Sequence, residues 1–415
     1  MQGSAHARHS LIVTMSCDAD DFLRSGRFIP HNRTQPKSKI CHTPTTAHYS
    51  CSQLQSEGVQ WEPAHPACRG ASSPPLSAAL LLGQHWRHRK ARAQLNRTLF
   101  IIGDSTQKQA ADSAFCTIAT ELALDATHEA PIFAKRAAQE WQWRRPSWFW
   151  QTTPSDAFQK RLVSCATAFG LNSGSAASAG SVTLCFIPSA ALGRSVLEGR
   201  DASTVSGALR RIVVRNITRS TDIALINSGS WYMGQVSCGS GGLYIRDCDA
   251  AQAADAQAIV SLAASHAAAV PTLLWRETYA SHFDTPTGIY DGAAHDQLRL
   301  FVRSRGAAGS KNLSLSRCKP LRTGATKPAV LANVSAILKE RGSGVTVLDT
   351  WSLTRNLSVA MHANNPNRGP DELAAPDCLH FCSWIGVDET IVEAVAWAAA
   401  AAPAAGAGGA GHEEP

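Results

Sequence analysis

Three side chains, far apart in the chain, have the types and local spacing that acyl transfer needs. Ser105 stands in Gly103-Asp104-Ser105, directly after the apolar run Leu99–Ile102 and ahead of a helix-compatible stretch. Asp377 and His380 stand three apart in PDCLHFC at 376–382, just before the last helical stretch. A histidine can take the serine proton, and a carboxylate can hold the ring and stabilise the imidazolium. A serine at a strand-to-helix turn also has unpaired backbone N–H groups beside it, where the oxyanion of a tetrahedral intermediate develops. Gly103 permits the sharp turn, and the Ser105 N–H is one expected donor. Asp377 and His380 are expected to share a tight turn that faces the serine. Each motif alone also reads blandly, GDS as a capped turn and DxxH as a connecting loop; the pairing of the two carries the chemistry.

The surrounding pattern supplies elements to position them. Strand-like apolar runs occur at Thr98–Ile102, Val182–Ile187, Asp222–Asn227, Thr272–Arg276 and Val345–Asp349. Helix-compatible stretches alternate with them at 105–122, 203–216, 250–269 and 328–341, and a last one at 386–400 closes the fold. Such alternation predicts a parallel sheet covered on both faces. Sites in such sheets lie at the carboxyl ends of strands, where Ser105 falls. The other strand ends offer Asn227, whose side chain, or the Gly229 N–H, is a second candidate oxyanion donor. Arg276 and His282 follow a strand too; either could bind an acidic sugar, and Arg276 could equally form a structural ion pair. Asp112 is expected on the solvent or capping face of the first long helix. Trp141, Trp143, Trp148 and Trp150 fall in an aromatic-rich region at 131–160 and could stack on sugar faces or simply pack. Residues 171–181 read as a Gly/Ser/Ala-rich loop, and 397–415 as a low-complexity tail.

Composition narrows the setting. The 415 residues suffice for a large core, and 44% hydrophobic content is ordinary for a globular chain. The net charge of +7 is spread over scattered clusters, so nothing specific points to nucleic acid. Twelve cysteines without a CxxC pair argue against a zinc ribbon and suit an oxidising compartment, although Cys185, inside a strand-like run, reads as a free buried thiol. Cys116 is expected to bridge to Cys41 or Cys51, and Cys318 to Cys378 or Cys382. Sequons at Asn32, Asn96, Asn216, Asn312, Asn333 and Asn356 fit a lumenal or extracellular chain. LIVTM at 11–15 and LSAALLL at 76–82 are too short for a signal core or an anchor. Residues 1–70 read as a loop-rich segment pinned by disulfides.

Together these motifs resemble the plant trichome-birefringence-like family of PC-esterase domains, which is SGNH-type. The resemblance rests on GDS with Cys116 eleven residues after Ser105, and on DCLHFC at 377–382 against the family's DCxHWC, with Phe381 in place of Trp. It rests also on INSGSWY at 226–232 against NTGHWW, and on RETYASHF at 276–283 against RxxxxxHF. Cys17, Gly26-Arg27-Phe28, Trp61-Glu62-Pro63 and Cys68 resemble the family's N-terminal pattern. One departure is Lys108, where members commonly carry arginine. The resemblance covers about residues 17–400.

It implies a three-layer SGNH/flavodoxin-like α/β fold with a smaller N-terminal disulfide-pinned subdomain. The expected division is 1–16 divergent N-terminus, 17–97 cysteine-containing subdomain, 98–400 catalytic domain and 401–415 disordered tail. The implied activity is O-acetylation of a cell-wall or extracellular polysaccharide through Ser105, His380 and Asp377, with Gly103, Asp104, Asn227, Gly229, Arg276 and His282 around the oxyanion or substrate. The rivals are an acetyl esterase with the same triad and a non-catalytic glycan-binding protein. No bound cofactor and no metal are expected; an acetyl donor of unknown identity is required. The expected partners are that donor and a polysaccharide or oligosaccharide acceptor, and no nucleic acid. The expected place is the Golgi lumen as a type II membrane protein, with an anchor upstream of the present start, or secretion.

Overall fold

A strand covered on both faces reads as an unbroken apolar run, and five such runs frame this chain. A computed structural model describes residues 17–24, 26–30, 59–69, 73–82, 97–121, 148–152, 164–170, 181–188, 204–227, 248–283, 288–289, 318–340, 342–357, 361–362, 377–381 and 386–402. In chain order the first half gives α1 (Ala19–Leu23), β1 (Arg27–Pro30), β2 (Val59–Glu62), α2 (Leu76–Leu82), β3 (Thr98–Gly103), α3 (Ser105–Glu121), β4 (Trp148–Thr152), β5 (Ser164–Gly170) and β6 (Ser181–Pro188). The second half gives α4 (Val205–Val214), β7 (Ile223–Ile226), α5 (Cys248–Ser265), β8 (Thr272–Arg276), α6 (Ala329–Leu338), β9 (Val345–Leu348), α7 (Thr350–Thr354), β10 (Met361–His362), β11 (Asp377–Phe381) and α8 (Val387–Ala401).

Seven strands form one sheet in the order β4-β5-β6-β3-β7-β8-β9. The five from β6 to β9 are mutually parallel, and β4 and β5 extend one edge antiparallel. The chain leaves β3 for β6 on one side and then crosses to β7 on the other. This reversal places the switch point between β3 and β7, where α/β sheets open a crevice at their carboxyl ends.

Successive residues of β3 serve opposite layers, as the period of two requires. Leu99 and Ile101 pack with α1, α2, α3 and α8; Phe100 and Ile102 pack with α4, α5 and α6. The fold is thus α/β, with helices on both faces of a mostly parallel sheet. Fully buried Arg97 donates to the carbonyls of Ala399 and Ala402 and so closes the end of α8. The low-complexity stretch is therefore helical through Ala401, with Trp397 buried, rather than a tail from 397. Residues 403–415 lie outside the described set.

The N-terminal segment is pinned by a Cys17–Cys68 disulfide, as its composition suggests. It also joins the main core: Phe22 and Trp61 are buried there, the Trp61 indole donates to the Phe22 carbonyl at 2.8 Å, and the Phe22 ring lies 6.5 Å from that of Trp397. Cys185 is not a free thiol. It faces Cys165 across the β5–β6 pair and is bonded to it. No described cysteine is free. Cys116 is in a disulfide, and the partners expected for it, Cys41 and Cys51, lie outside the described residues. Cys318 pairs with Cys378, one of its two expected partners. Three sequon asparagines are described, Asn216, Asn333 and Asn356, and all are exposed. No helix of the described residues is long and apolar enough to cross a membrane.

Candidate active site

Ser105 is the first residue of α3, exposed, at the carboxyl end of β3. The turn that presents it needs glycine at 103. There φ is 155°, and a Cβ would come within 2.6 Å of the Asn227 carbonyl oxygen and 2.4 Å of Gln107 Cγ. Asp104 is buried, and its Oδ1 accepts from both the N–H (2.9 Å) and the hydroxyl (2.7 Å) of Thr106. Its carbonyl accepts from the Lys108 N–H. Asp104 Oδ1 therefore caps the helix start, while its Oδ2 is buried with no hydrogen-bond partner among the described residues.

The Ser105 hydroxyl lies 2.7 Å from His380 Nε2, across 275 residues of sequence. His380 is half-buried on β11. The Gln109 side chain, one turn after Ser105, donates to the Phe381 carbonyl at 3.0 Å, tying the helix of the nucleophile to the strand of the histidine. The segment 377–381 is a strand and not the expected tight turn. It pairs antiparallel with β10, Met361 opposite Phe381 and His362 opposite Asp377, with the register broken between them. That pairing comes from a distant segment, so nothing local announces it. Asp377 begins the strand; its backbone is described and its side chain is not. Gly229, like the tryptophans at 141 and 143, lies outside the described residues.

Asn227, Arg276 and His282 are gathered at the same sheet edge but sit behind the surface, each fully buried. Asn227 Nδ2 donates to the Arg276 carbonyl (2.7 Å) and the Thr278 hydroxyl (3.3 Å), so its amide hydrogens staple β7 to β8. His282 sets its ring nitrogens against the carbonyls of Lys319 (3.2 Å) and Thr354 (3.0 Å). Burial pulls its pKa below the ordinary value, against the opposing pull of those carbonyls. Arg276 donates to Thr106 and Gln107, the two residues after the serine. The described contacts of all three lie within the fold, and Asn227 Oδ1 and Arg276 Nη1 have no hydrogen-bond partner among the described residues. Lys108 is drawn to Asp112, at 3.7 Å.

Burial also decides the state of three carboxyls near this edge. Asp388, which accepts the Tyr279 hydroxyl at 2.6 Å, is pushed up to about 6 by burial, with that hydroxyl opposing. Asp112 is pushed up to about 7, also by burial, with Lys108 opposing and the charge of Asp388 adding. Its side chain is mostly covered rather than on an open solvent face. Glu277, held by Lys327 and Ser335, reaches about 7 through burial and the neighbouring Asp349. A carboxyl raised in the folded state stabilises fully below its unfolded value and loses that contribution as pH rises through the folded one. Three such groups outweigh His282, whose lowered pKa acts in the opposite direction. Thermal melting should therefore fall by roughly 5 °C or more between pH 5.5 and pH 8.0. A midpoint that rises over that range would contradict these protonation states.

Sequence reasoning missed Thr106, Gln107, Gln109, Tyr279 and Asp388. Gln107 and Gln109 could have been noticed as polar residues in the first turn after the serine. Tyr279 and Asp388 carry no local signal. Among the described residues no group of three or more His, Cys, Asp or Glu side chains could hold a metal. No family model matches the chain, and no curated protein matches it at a significant level.

Proposed function

We propose that the chain is a serine-dependent O-acetyltransferase of SGNH type, related to the trichome-birefringence-like family and acting on a cell-wall or extracellular glycan in the Golgi lumen. The observation that carries this reading is the 2.7 Å contact between Ser105 Oγ and His380 Nε2 at the switch point of the sheet. The contact also counts against a non-catalytic glycan-binding role.

Ser105 Oγ attacks the acetyl carbonyl of the donor as His380 Nε2 takes the hydroxyl proton. The tetrahedral oxyanion forms beside the start of α3, where the Ser105 N–H serves as donor. Collapse expels the donor's leaving group, which takes the proton from His380, and leaves acetyl-Ser105. A sugar hydroxyl then attacks the ester, His380 takes its proton, and the second collapse returns the hydrogen to Ser105 Oγ. Asp377 is assigned the orienting of the imidazole.

A second reading, acetyl esterase, differs only in that water attacks the acyl-serine. The exposure of Ser105 favours it, since water has access until an acceptor covers the site.

The test is intact-mass analysis of wild type and Ser105→Ala after incubation with an activated acetyl ester. One acetyl adduct is expected on wild type and none on the variant. Xylan or mannan oligosaccharides should speed loss of the adduct if the chain is a transferase and leave it unchanged if it is an esterase. A folded wild type that neither forms an adduct nor turns over the ester would overturn both readings.

A further inference from the structure

Arg276 is a fully buried cation that no step of the proposed reaction uses. A buried guanidinium is costly where its donors go unmatched, and here Nη1 has no hydrogen-bond partner among the described residues while Nε and the other Nη are engaged. Its Nε donates to Gln107 Oε1 at 2.7 Å and one Nη donates to Thr106 Oγ1 at 2.6 Å. The planar fork thus grips the two residues that follow Ser105. Thr106 passes the grip on to Asp104 Oδ1 through its hydroxyl. Gln107 passes it to the Leu225 carbonyl on β7, donating through Nε2 at 3.1 Å. On its other side the guanidinium carbon lies 4.1 Å from the centroid of the Tyr279 ring. That ring packs edge-on against Phe381, centroids 5.0 Å apart, and Phe381 neighbours His380. The Tyr279 hydroxyl is fixed in turn by Asp388 at the start of α8.

Arg276 therefore touches the support of both partners. The first turn of α3 fixes the direction of Ser105 Oγ, and Phe381 fixes the strand that carries His380. We infer that Arg276 is a positioning residue: it sets the Ser105–His380 geometry by clamping Thr106 and Gln107 on one side and Tyr279 on the other. This rests on the reading of Ser105 as the nucleophile. Lysine does not reproduce this contact, because it lacks the planar fork whose Nε and Nη reach Gln107 and Thr106 from separate nitrogens while its face lies against the Tyr279 ring.

The experiment is covalent labelling of the full chain by a fluorophosphonate, a probe of activated serines, well below the melting temperature of every variant. The variants are Arg276→Lys, Thr106→Val, the double variant and Ser105→Ala. Misplacement by about 1 Å costs on the order of 100-fold in rate, so Arg276→Lys is expected to slow the maximal labelling rate by roughly that factor. The probe's half-saturating concentration should stay within about twofold, since the binding surface is untouched. Thr106→Val, which keeps the volume and removes one leg of the clamp, should cost about tenfold. The double variant should cost no more than Arg276→Lys alone, because both act through one contact.

A folded Arg276→Lys that labels within about threefold of wild type would overturn the inference, as would fully multiplicative losses in the double variant. If Arg276→Lys fails to fold, Thr106→Val decides: wild-type labelling by that variant overturns the clamp. Wild type that labels no better than Ser105→Ala removes the nucleophile reading and the inference with it. Failure of the clamp alone leaves wild-type labelling intact, so the two failures are distinguishable.

Discussion

His380→Gln is expected to slow acylation of Ser105 by about 10³- to 10⁴-fold while the protein still folds. The ring nitrogen stands 2.7 Å from the hydroxyl it must deprotonate. Glutamine can reach a similar place and accept a hydrogen bond there, but an amide oxygen does not hold a proton near neutral pH. The loss would therefore be one of proton transfer and not of packing. His282 cannot substitute, since it is buried with both nitrogens against backbone carbonyls. The remaining rate would come from the backbone donors at the start of α3. The variant should also lose the acid limb of the pH–rate profile, a sign that lost stability alone would not give. Rates measured with an activated acetyl ester, beside a melting curve, would decide. A loss under about tenfold would mean that His380 is not the base.

The frame was legible because each parallel strand is buried on both faces. Leu99–Ile102 could hardly be anything but a strand, and GDS then had to fall at its carboxyl end. The antiparallel strands β4 and β5 were not legible. Residues 148–152 lie in an aromatic stretch without alternation, and SCATAFG at 164–170 is rich in small residues that favour no element strongly. Missing β5 also made Cys185 look like a lone thiol, since its partner Cys165 stands opposite it on that strand.

At the site, Ser105 and His380 could be picked out because their types announce chemistry. The roles of Asn227, Arg276 and His282 could not, because burial depends on which strands become neighbours. A strand-end arginine looks the same in sequence whether it faces a substrate or supports the residue after a nucleophile. Residues 377–381 could be read as a turn for the same reason: their partners, Met361 and His362, are set by the fold and not by the local sequence.

Removing the Cys318–Cys378 disulfide should cost both stability and rate, and a second disulfide shows how to separate the two. Cys378 is buried two residues before His380, and its sulfur is bonded to Cys318, 60 residues away. The same strand hangs on a backbone chain: the His282 N–H donates to the Cys378 carbonyl, and the Lys319 N–H to the His282 carbonyl, each at 2.9 Å. Cross-linking a loop of that length is worth about 4 kcal/mol by the chain-entropy estimate. At this chain size that corresponds to a melting point lower by roughly 5 °C in the double variant Cys318→Ser/Cys378→Ser. Replacing both cysteines leaves no unpaired thiol to confuse the result. Because β11 carries the base, acylation should also slow by about 10- to 100-fold at temperatures where the variant is folded. Cys165→Ala/Cys185→Ala opens a shorter loop, worth about 3 kcal/mol, between β5 and β6, which carry neither Ser105 nor His380. It should lower the melting point and leave the rate near wild type. If the two variants lose rate alike, the strand of His380 is not held by its disulfide, and anchoring must be sought in β10 and in the Gln109 bond to Phe381. If only the first loses rate, an oxidising compartment is a requirement of catalysis as well as of folding.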